Sequence, residues 1–426
     1  MRKKSRGFPI ADVARAPEIT FVRMPLPSLS TRRPFHLMAK PMGPRCNLDC
    51  SYCFYLKKAA LYPQTPSFRM NDDVLEAFVR NYIESQDTAE IQFAWQGGEP
   101  TLLGVEFFQR ACALQRQYSG GRRIANSLQT NGTLLDDRWA SFLKAESFLV
   151  GLSLDGPREL HDHHRRDKQG GPSFDRVLAG LRALQRHQVD YNLLTVVSSC
   201  NARQPREVYH FLTSTGARHL QFIPLVERLV PDSDDLAALP VEPAVTPESV
   251  SGPAWGGFLC GVFDEWIQRD VGRVFVQAFD GALASWVGQP ASLCVHAEEC
   301  GRALAIEHNG DVYACDHYVY ASHRRGNVLQ TPLNELVDAP DQVAFGRAKS
   351  LTLPPDCLQC RWRFACHGGC PKHRLGAAGE ARPLNHLCAG YRRFFAHIDA
   401  PMREMATLFQ RGEPASRIMR RHRRKR

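Results

Sequence analysis

Between residues 36 and 226, short apolar runs alternate with amphipathic stretches, the pattern of successive strand and helix units around a parallel sheet. The strands of six such units are expected at 36–42 (HLMAKPM), 90–97 (EIQFAWQG), 124–132 (IANSLQTNG), 148–156 (FLVGLSLDG), 191–198 (YNLLTVVS) and 219–226 (HLQFIPLV). Helices fill the intervals. In NDDVLEAFVRNYIES, Asn71 or Asp72 carries a side chain suited to cap the helix start. The departures from this pattern, GGEP, QTNG and SLDGP, follow strand ends, which is the edge where barrels and open parallel sheets bind ligands. The expected fold is α/β, a partial (β/α)6 TIM-like barrel with its site at the carboxyl ends of the strands.

The alternation stops at 229–254, LVPDSDDLAALPVEPAVTPESVSGPA, whose prolines and acids read as a linker. After a bridging helix in WGGFLCGVFDEWIQRD, the chain becomes cysteine-dense and loop-like up to Cys388. A length of 426 residues exceeds what one core usually holds. The expected organisation is an N-terminal extension (1–33), the barrel (34–228), the linker (229–254), the bridging helix with a cysteine-rich module (255–398) and a C-terminal tail (399–426).

Charge alters the reading of the two ends. The net charge is +10, yet Arg2, Lys3, Lys4 and Arg6 supply four positive charges and the final RIMRRHRRKR seven, so the body without them is near −1. The ends are expected to be solvated, mobile tails, with RNA, anionic lipid or an acidic partner as the alternative use. Pro and charged residues break up the start of the chain, and no apolar run is long enough for a bilayer span. Neither a secretory signal nor a membrane helix is expected, and the location is read as cytoplasmic.

In that setting fourteen cysteines point to metal or redox chemistry rather than to disulfides. Cys46, Cys50 and Cys53 form C-x3-C-x2-C within KPMGPRCNLDCSYCFYL. Three such thiolates suit a four-iron cluster with one iron left open, or a zinc site short of one ligand. Cys294, Cys300 and Cys315, then Cys357, Cys360, Cys366, Cys370 and Cys388, supply eight more. Eight thiols are enough for two fully ligated iron clusters or two zincs, and spacing does not separate the metals. Cys112, Cys200 and Cys260 fall in helix or strand stretches and read as small core residues.

The run around Cys46 resembles the radical S-adenosylmethionine (SAM) enzymes, which carry an aromatic residue, here Tyr52, before the third cysteine. The resemblance implies that the open iron chelates the amino and carboxylate groups of SAM, whose reductive cleavage gives methionine and a deoxyadenosyl radical. It further implies that Gly97, Gly98, Glu99 and Pro100 bind the methionine amine. Ser153 and Arg165 would contact ribose and carboxylate, and Leu225 or Val226 would flank adenine. The second half is similar to the SPASM domain. That likeness assigns Cys294, Cys300, Cys315 and Cys370 to one auxiliary cluster and Cys357, Cys360, Cys366 and Cys388 to another. The implied cofactors are three [4Fe-4S] clusters and SAM.

From about Pro34 to His397 the chain resembles the anaerobic sulfatase-maturating enzymes through WQGGEPTLLG, LQTNGTLL, SLDGP with HDHHR, NGDVYACDHYV, ACHGGCPKHR and NHLCAGYRRFF. This resemblance implies a two-electron oxidation of a sulfatase cysteine or serine to formylglycine, with a flavodoxin or ferredoxin as reductant. Asp316 in ACDHY would be the base, its pKa raised towards neutral beside a buried cluster. The plain alternative for Asp316 is a loop aspartate capping backbone amides. His317 is a weaker candidate, and His161, His163 and His164 receive no ligand role. The substrate peptide is expected to enter between barrel and cysteine module, pairing through its backbone. Two other readings compete: a SPASM-type maturase forming thioether or carbon–carbon crosslinks, and a non-catalytic zinc protein binding RNA through its basic ends.

Overall fold

The computed structural model describes residues 33–65, 67–229, 245–376 and 382–422. Residues 1–32 of the expected extension and 230–244 of the expected linker lie outside them.

Six parallel strands follow the predicted order: β1 (His36–Lys40), β2 (Glu90–Trp95), β3 (Arg123–Thr130), β4 (Leu149–Ser153), β5 (Tyr191–Val197) and β6 (His219–Pro224). Each ends earlier than its hydrophobic run suggests, because its last residues turn away into the loops of the site. The helix Asp72–Glu84 is capped by Asn71, whose side chain accepts from Val74 N. Its buried face of Val74, Leu75, Phe78, Val79, Tyr82 and Ile83 recurs at helical spacing and packs into the main core.

The sheet does not stop at the sixth strand. β7 (Phe275–Val276) extends it beyond β6, while β8 (Ala303–Glu307), β9 (Asp311–Tyr313) and β10 (Arg324–Asn327) extend it beyond β1. Among the described residues these ten strands form one sheet, in the order β10-β9-β8-β1-β2-β3-β4-β5-β6-β7. β8 pairs in parallel with β1 along its whole length, from His36↔Ala303 to Lys40↔Glu307. Residues from Pro34 onward form one compact unit.

Two expected boundaries therefore change. The bridging helix, Gly252–Arg269, begins inside the stretch read as linker, with Ser251 capping it. Pro253 misleads in sequence, yet it occupies the first turn, where a missing N–H removes no helical hydrogen bond. The helix Cys388–Gln410 likewise runs through the expected start of the tail at 399. Met402 and Met405 are fully buried on it and Ile418 beyond it, while Arg421 pairs with Glu404 at 3.2 Å. The basic end is thus anchored by its few apolar residues as far as residue 422. Among the described residues no helix is long and apolar enough to cross a membrane.

Candidate active site

Everything at the mouth of the barrel is tied to the loop after β1. Gly98 N donates to Gly43 O at 2.7 Å and Glu99 N to Arg45 O at 2.9 Å, so the GGEP turn lies flat against the approach to Cys46. A Cβ on Gly98 would stand 2.0 Å from Arg45 O. Only glycine permits this contact. With these two N–H groups already engaged, the turn offers carbonyls, the right polarity for an ammonium. Glu99 is fully buried and accepts from Thr101 N, Thr101 Oγ1, Thr130 Oγ1 and Asn131 N. Burial still pushes its carboxyl up against those four donors. Asn131 in turn reaches Asn47 Oδ1 at 2.8 Å and Cys46 Sγ at 3.6 Å. Glu99 is therefore the knot that holds β2, β3 and the cysteine loop together, a role beyond cofactor contact.

The three loop thiols face one another, so a negative charge on one opposes ionisation of its neighbours. Burial raises Cys46 to about 11 and Cys50 to about 12. Thiols held protonated in this way bind metal by releasing their protons.

Arg165 and Tyr52 meet across Asp155, a residue that sequence reasoning passed over inside SLDGP. Arg165 Nε donates to Asp155 Oδ2 at 2.8 Å, Tyr52 OH donates to the same oxygen at 2.5 Å, and Val196 N donates to Oδ1. Burial works against ionisation of Asp155, and the Arg165 guanidinium overrides it and holds the carboxyl below its usual range. Ser153 lies buried at the end of β4, and Leu225 and Val226 are buried just beyond β6. His164 bridges Ser51 of the cysteine loop to Ser198 beyond β5, and His161 contacts Ser173 and Asp155 N. Both rings are occupied in holding loops together.

The later cysteines lie near one another in two places. Cys370 faces Cys294, Cys300 and Cys315. Cys357, Cys360, Cys366 and Cys388 line one partly open pocket together with Trp362, Asn385 and Tyr391. Four thiols converging on one pocket are the donor set of a fully ligated four-iron cluster. All fourteen cysteines are free thiols.

The position of Asp316 is set by the pairing of β8 with β1. β9 runs back from β8 to Cys315 and sets Asp316 against the last residue of β1, Lys40. The Lys40 ammonium is buried and bonds both the Asp316 carboxylate and Gln96 Oε1, the latter at 2.5 Å, with the Tyr55 ring 4.5 Å away. The expected rise in the Asp316 pKa is corrected here. Burial does push the carboxyl up, but Lys40 and then His317 outweigh it, and the group lies below its ordinary value. Lys40, Gln96 and Tyr55 all escaped sequence reasoning. Lys40 had a legible signal, a lysine closing an otherwise apolar strand directly before the cysteine loop.

A family described as the Radical SAM superfamily matches residues 41–212, and one described as an iron-sulfur cluster-binding domain matches residues 294–361. The serine-type anaerobic sulfatase-maturating enzyme of Bacteroides thetaiotaomicron is 43% identical over 371 residues, covering 86% of this chain and 90% of that protein. The chain belongs to the anaerobic sulfatase-maturating enzymes. It is accordingly a radical SAM oxidoreductase, as the motifs implied. The cysteine-type enzyme of this family from Clostridium perfringens is 34% identical over 367 residues, covering 85% of this chain and 96% of that one. A solved structure of native anSMEcpe with bound AdoMet and a Cp18Cys peptide superimposes with a TM-score of 0.79 at 34% identity, covering 88% of this chain and 100% of that chain. Streptococcus suis SuiB bound to its precursor peptide SuiA, at 16% identity and a TM-score of 0.56, shares the fold. Membership of the sulfatase-maturating family sets aside both competing readings, the crosslinking maturase and the zinc protein.

Proposed function

We propose that this enzyme oxidises a serine or cysteine side chain of a sulfatase polypeptide to formylglycine, with Asp316 as the base. The observation that carries this is the half-buried carboxylate of Asp316, held by the buried Lys40 ammonium, which also bonds Gln96 directly before the GGEP turn. In this reading Cys46, Cys50 and Cys53 hold the cluster that binds SAM. Cys294, Cys300, Cys315 and Cys370 hold the first auxiliary cluster, and Cys357, Cys360, Cys366 and Cys388 the second. When bound, these groups supply a radical that removes a hydrogen atom from the substrate β-carbon and an acceptor for the second electron.

The chain's own residues do the rest. The carbonyls of Gly97 and Gly98 would receive the methionine ammonium, and Arg165, oriented by Asp155, would hold the carboxylate. Ser153 would contact the ribose, and Leu225 and Val226 would flank the adenine. Asp316 accepts the proton of the substrate hydroxyl or thiol, and Lys40 keeps the carboxylate aimed. Loss of one hydrogen atom, one proton and one further electron leaves an aldehyde from serine; a thioaldehyde from cysteine exchanges its sulfur for water. The electron donor is a small reducing carrier such as flavodoxin or ferredoxin, and free thiols throughout the chain suit a cytoplasmic setting.

The test is an anaerobic incubation of reconstituted, reduced enzyme with SAM and a sulfatase-motif peptide, followed by mass spectrometry. A serine peptide should lose about 2 mass units and a cysteine peptide about 18, by atom count for oxidation at the β-carbon. Deoxyadenosine formation with both peptides unchanged would overturn the assignment.

A further inference from the structure

Among the described residues five lysine and arginine side chains are buried: Lys40, Lys58, Arg165, Lys349 and Arg374. Lys40 pairs with Asp316 and Arg165 with Asp155, while the Lys58 ammonium lies over the Tyr320 ring. Lys349 is fully buried, and its ammonium donates to the backbone carbonyls of Cys294, Val295 and Ala297, the first at 2.6 Å. Arg374 is 7% exposed and donates to the carbonyls of Lys349, Gly368 and His367 and to Thr352 Oγ1. No ion pair among the described residues includes either side chain. A cation removed from water needs a compensating negative charge.

The groups that face them are thiols. Lys349 faces Cys300, Cys294 and Cys370, all of the first quartet. Arg374 faces Cys357 of the second quartet and Cys370 and Cys300 of the first. The backbone forces this placement. Gly346 lets the helix Pro340–Leu351 close onto Cys300, where an added Cβ would stand 2.4 Å from Cys300 O, and Lys349 comes one turn later on that helix.

We propose that Lys349 and Arg374 are buried counter-cations of the two cysteine quartets, and that they raise the reduction potentials of the clusters held there. The inference rests on the cysteine assignment proposed above. A thiolate-ligated iron cluster is net negative and gains a further negative charge on reduction, so a fixed nearby cation favours the reduced state. Arg374, facing thiols of both quartets, acts on both potentials. This biases the auxiliary clusters towards taking an electron released at the barrel mouth.

The experiment is an EPR-monitored redox titration of the reconstituted full chain, with SAM added to mark the signal of the cluster on Cys46, Cys50 and Cys53. Lys349→Met and Arg374→Gln should each lower an auxiliary potential by at least tenfold in the reduction equilibrium, ~59 mV for one electron. Arg374→Lys, which loses the same fork of hydrogen bonds but keeps the charge, should stay near wild type. The cluster in the barrel serves as internal reference. Unshifted auxiliary potentials in variants that keep their clusters would overturn the inference, as would equal shifts in Arg374→Lys and Arg374→Gln. Cluster loss from Arg374→Gln with retention in Arg374→Lys supports it, whereas loss from both assigns Arg374 a geometric role and overturns it. Wild-type enzyme with iron only at the first loop would sink the cysteine assignment itself, before any variant is compared.

Discussion

Replacing Lys40 with methionine removes one charge and leaves almost everything else in place. The Lys40 side chain is 1% exposed and bonds the Asp316 carboxylate and Gln96 Oε1. Methionine fills the same channel but takes from the half-buried Asp316 carboxylate its bonded cation and leaves it only His317 and Lys58, a loss of up to about 3–5 kcal/mol. With an unfolding entropy of ~2.1 cal/mol/K per residue over a unit of this size, the melting temperature should fall by up to about 4–6 °C. The catalytic effect comes from the lost charged hydrogen bond, worth ~1.5–3 kcal/mol, or ~10–150-fold in formylglycine formation. Mass spectrometry of the peptide and chromatography of deoxyadenosine, run on the same anaerobic reaction, separate the two consequences. The ratio of deoxyadenosine to formylglycine should rise, because the radical is still generated while the base is misplaced. Adding Asp316→Asn to Lys40→Met should restore most of the lost stability but none of the activity, since two neutral groups no longer need each other. An unchanged product ratio, or a double variant less stable than the single one, would refute the reasoning.

Asp316→Asn alone should lower formylglycine formation by ~10²–10⁴-fold, the usual contribution of a positioned base, and a full-rate variant would exclude Asp316 from that role. Gly98→Ala drives a Cβ to 2.0 Å from Arg45 O and must part the two backbone hydrogen bonds behind it, at ~1–3 kcal/mol for each group left unsatisfied. Its expected signature is loss of iron from the Cys46 loop, read by iron assay and visible absorbance. Burial holds His161 at about 4 against Asp155 and Asp162, which raise it, and Arg165, which helps to lower it. The unfolded chain therefore takes up a proton below pH ~6.5 that the folded chain refuses down to about 4. The associated stability is complete above pH ~6.5 and falls by ~3 kcal/mol as the pH drops towards 4. Urea midpoints of His161→Gln should decline less steeply over that range, and parallel declines would contradict the assignment.

The barrel was legible because hydrophobic period and strand-end motifs agree. Each of the six expected strands overlaps an observed one, and of the two cap candidates Asn71 and Asp72 it is Asn71 that caps the helix. The second half was not legible in the same way. β7 has two residues, β9 three and β10 four, with Gly326 inside β10, too short for any alternation to register. Their membership in the barrel's sheet is a long-range pairing, and a local pattern carries no information about it. The same limit hid Lys40. A lysine ending a strand reads as solvent-facing, and only the partner brought by β9 shows why it is buried. Asp316 was found through its neighbour Cys315, but its electrostatics were misjudged. The expectation counted the cluster's desolvation and not a cation 276 positions away in sequence.

The continuous sheet also determines what positions the base. Were the two halves docked as separate bodies, the place of Asp316 above the cysteine loop would depend on side-chain packing and on the segment joining them. Instead β8 is registered to β1 residue by residue, ending at Lys40↔Glu307, and β9 carries the chain from there to Cys315. Glu307 adds a side-chain lock on the same register: it accepts from Tyr55, two positions after Cys53, so the cysteine loop is fastened to the strand that delivers the base. Backbone hydrogen bonds thus fix the separation between the metal-binding loop and the carboxylate, and such a separation resists sequence change far better than a docked interface does. Changes within 230–244 should accordingly leave Asp316 in place. A proline at Leu304, which shares with Arg302 the side of β8 that bonds β1, should abolish formylglycine formation, because it removes a rung from the pairing on which the site depends.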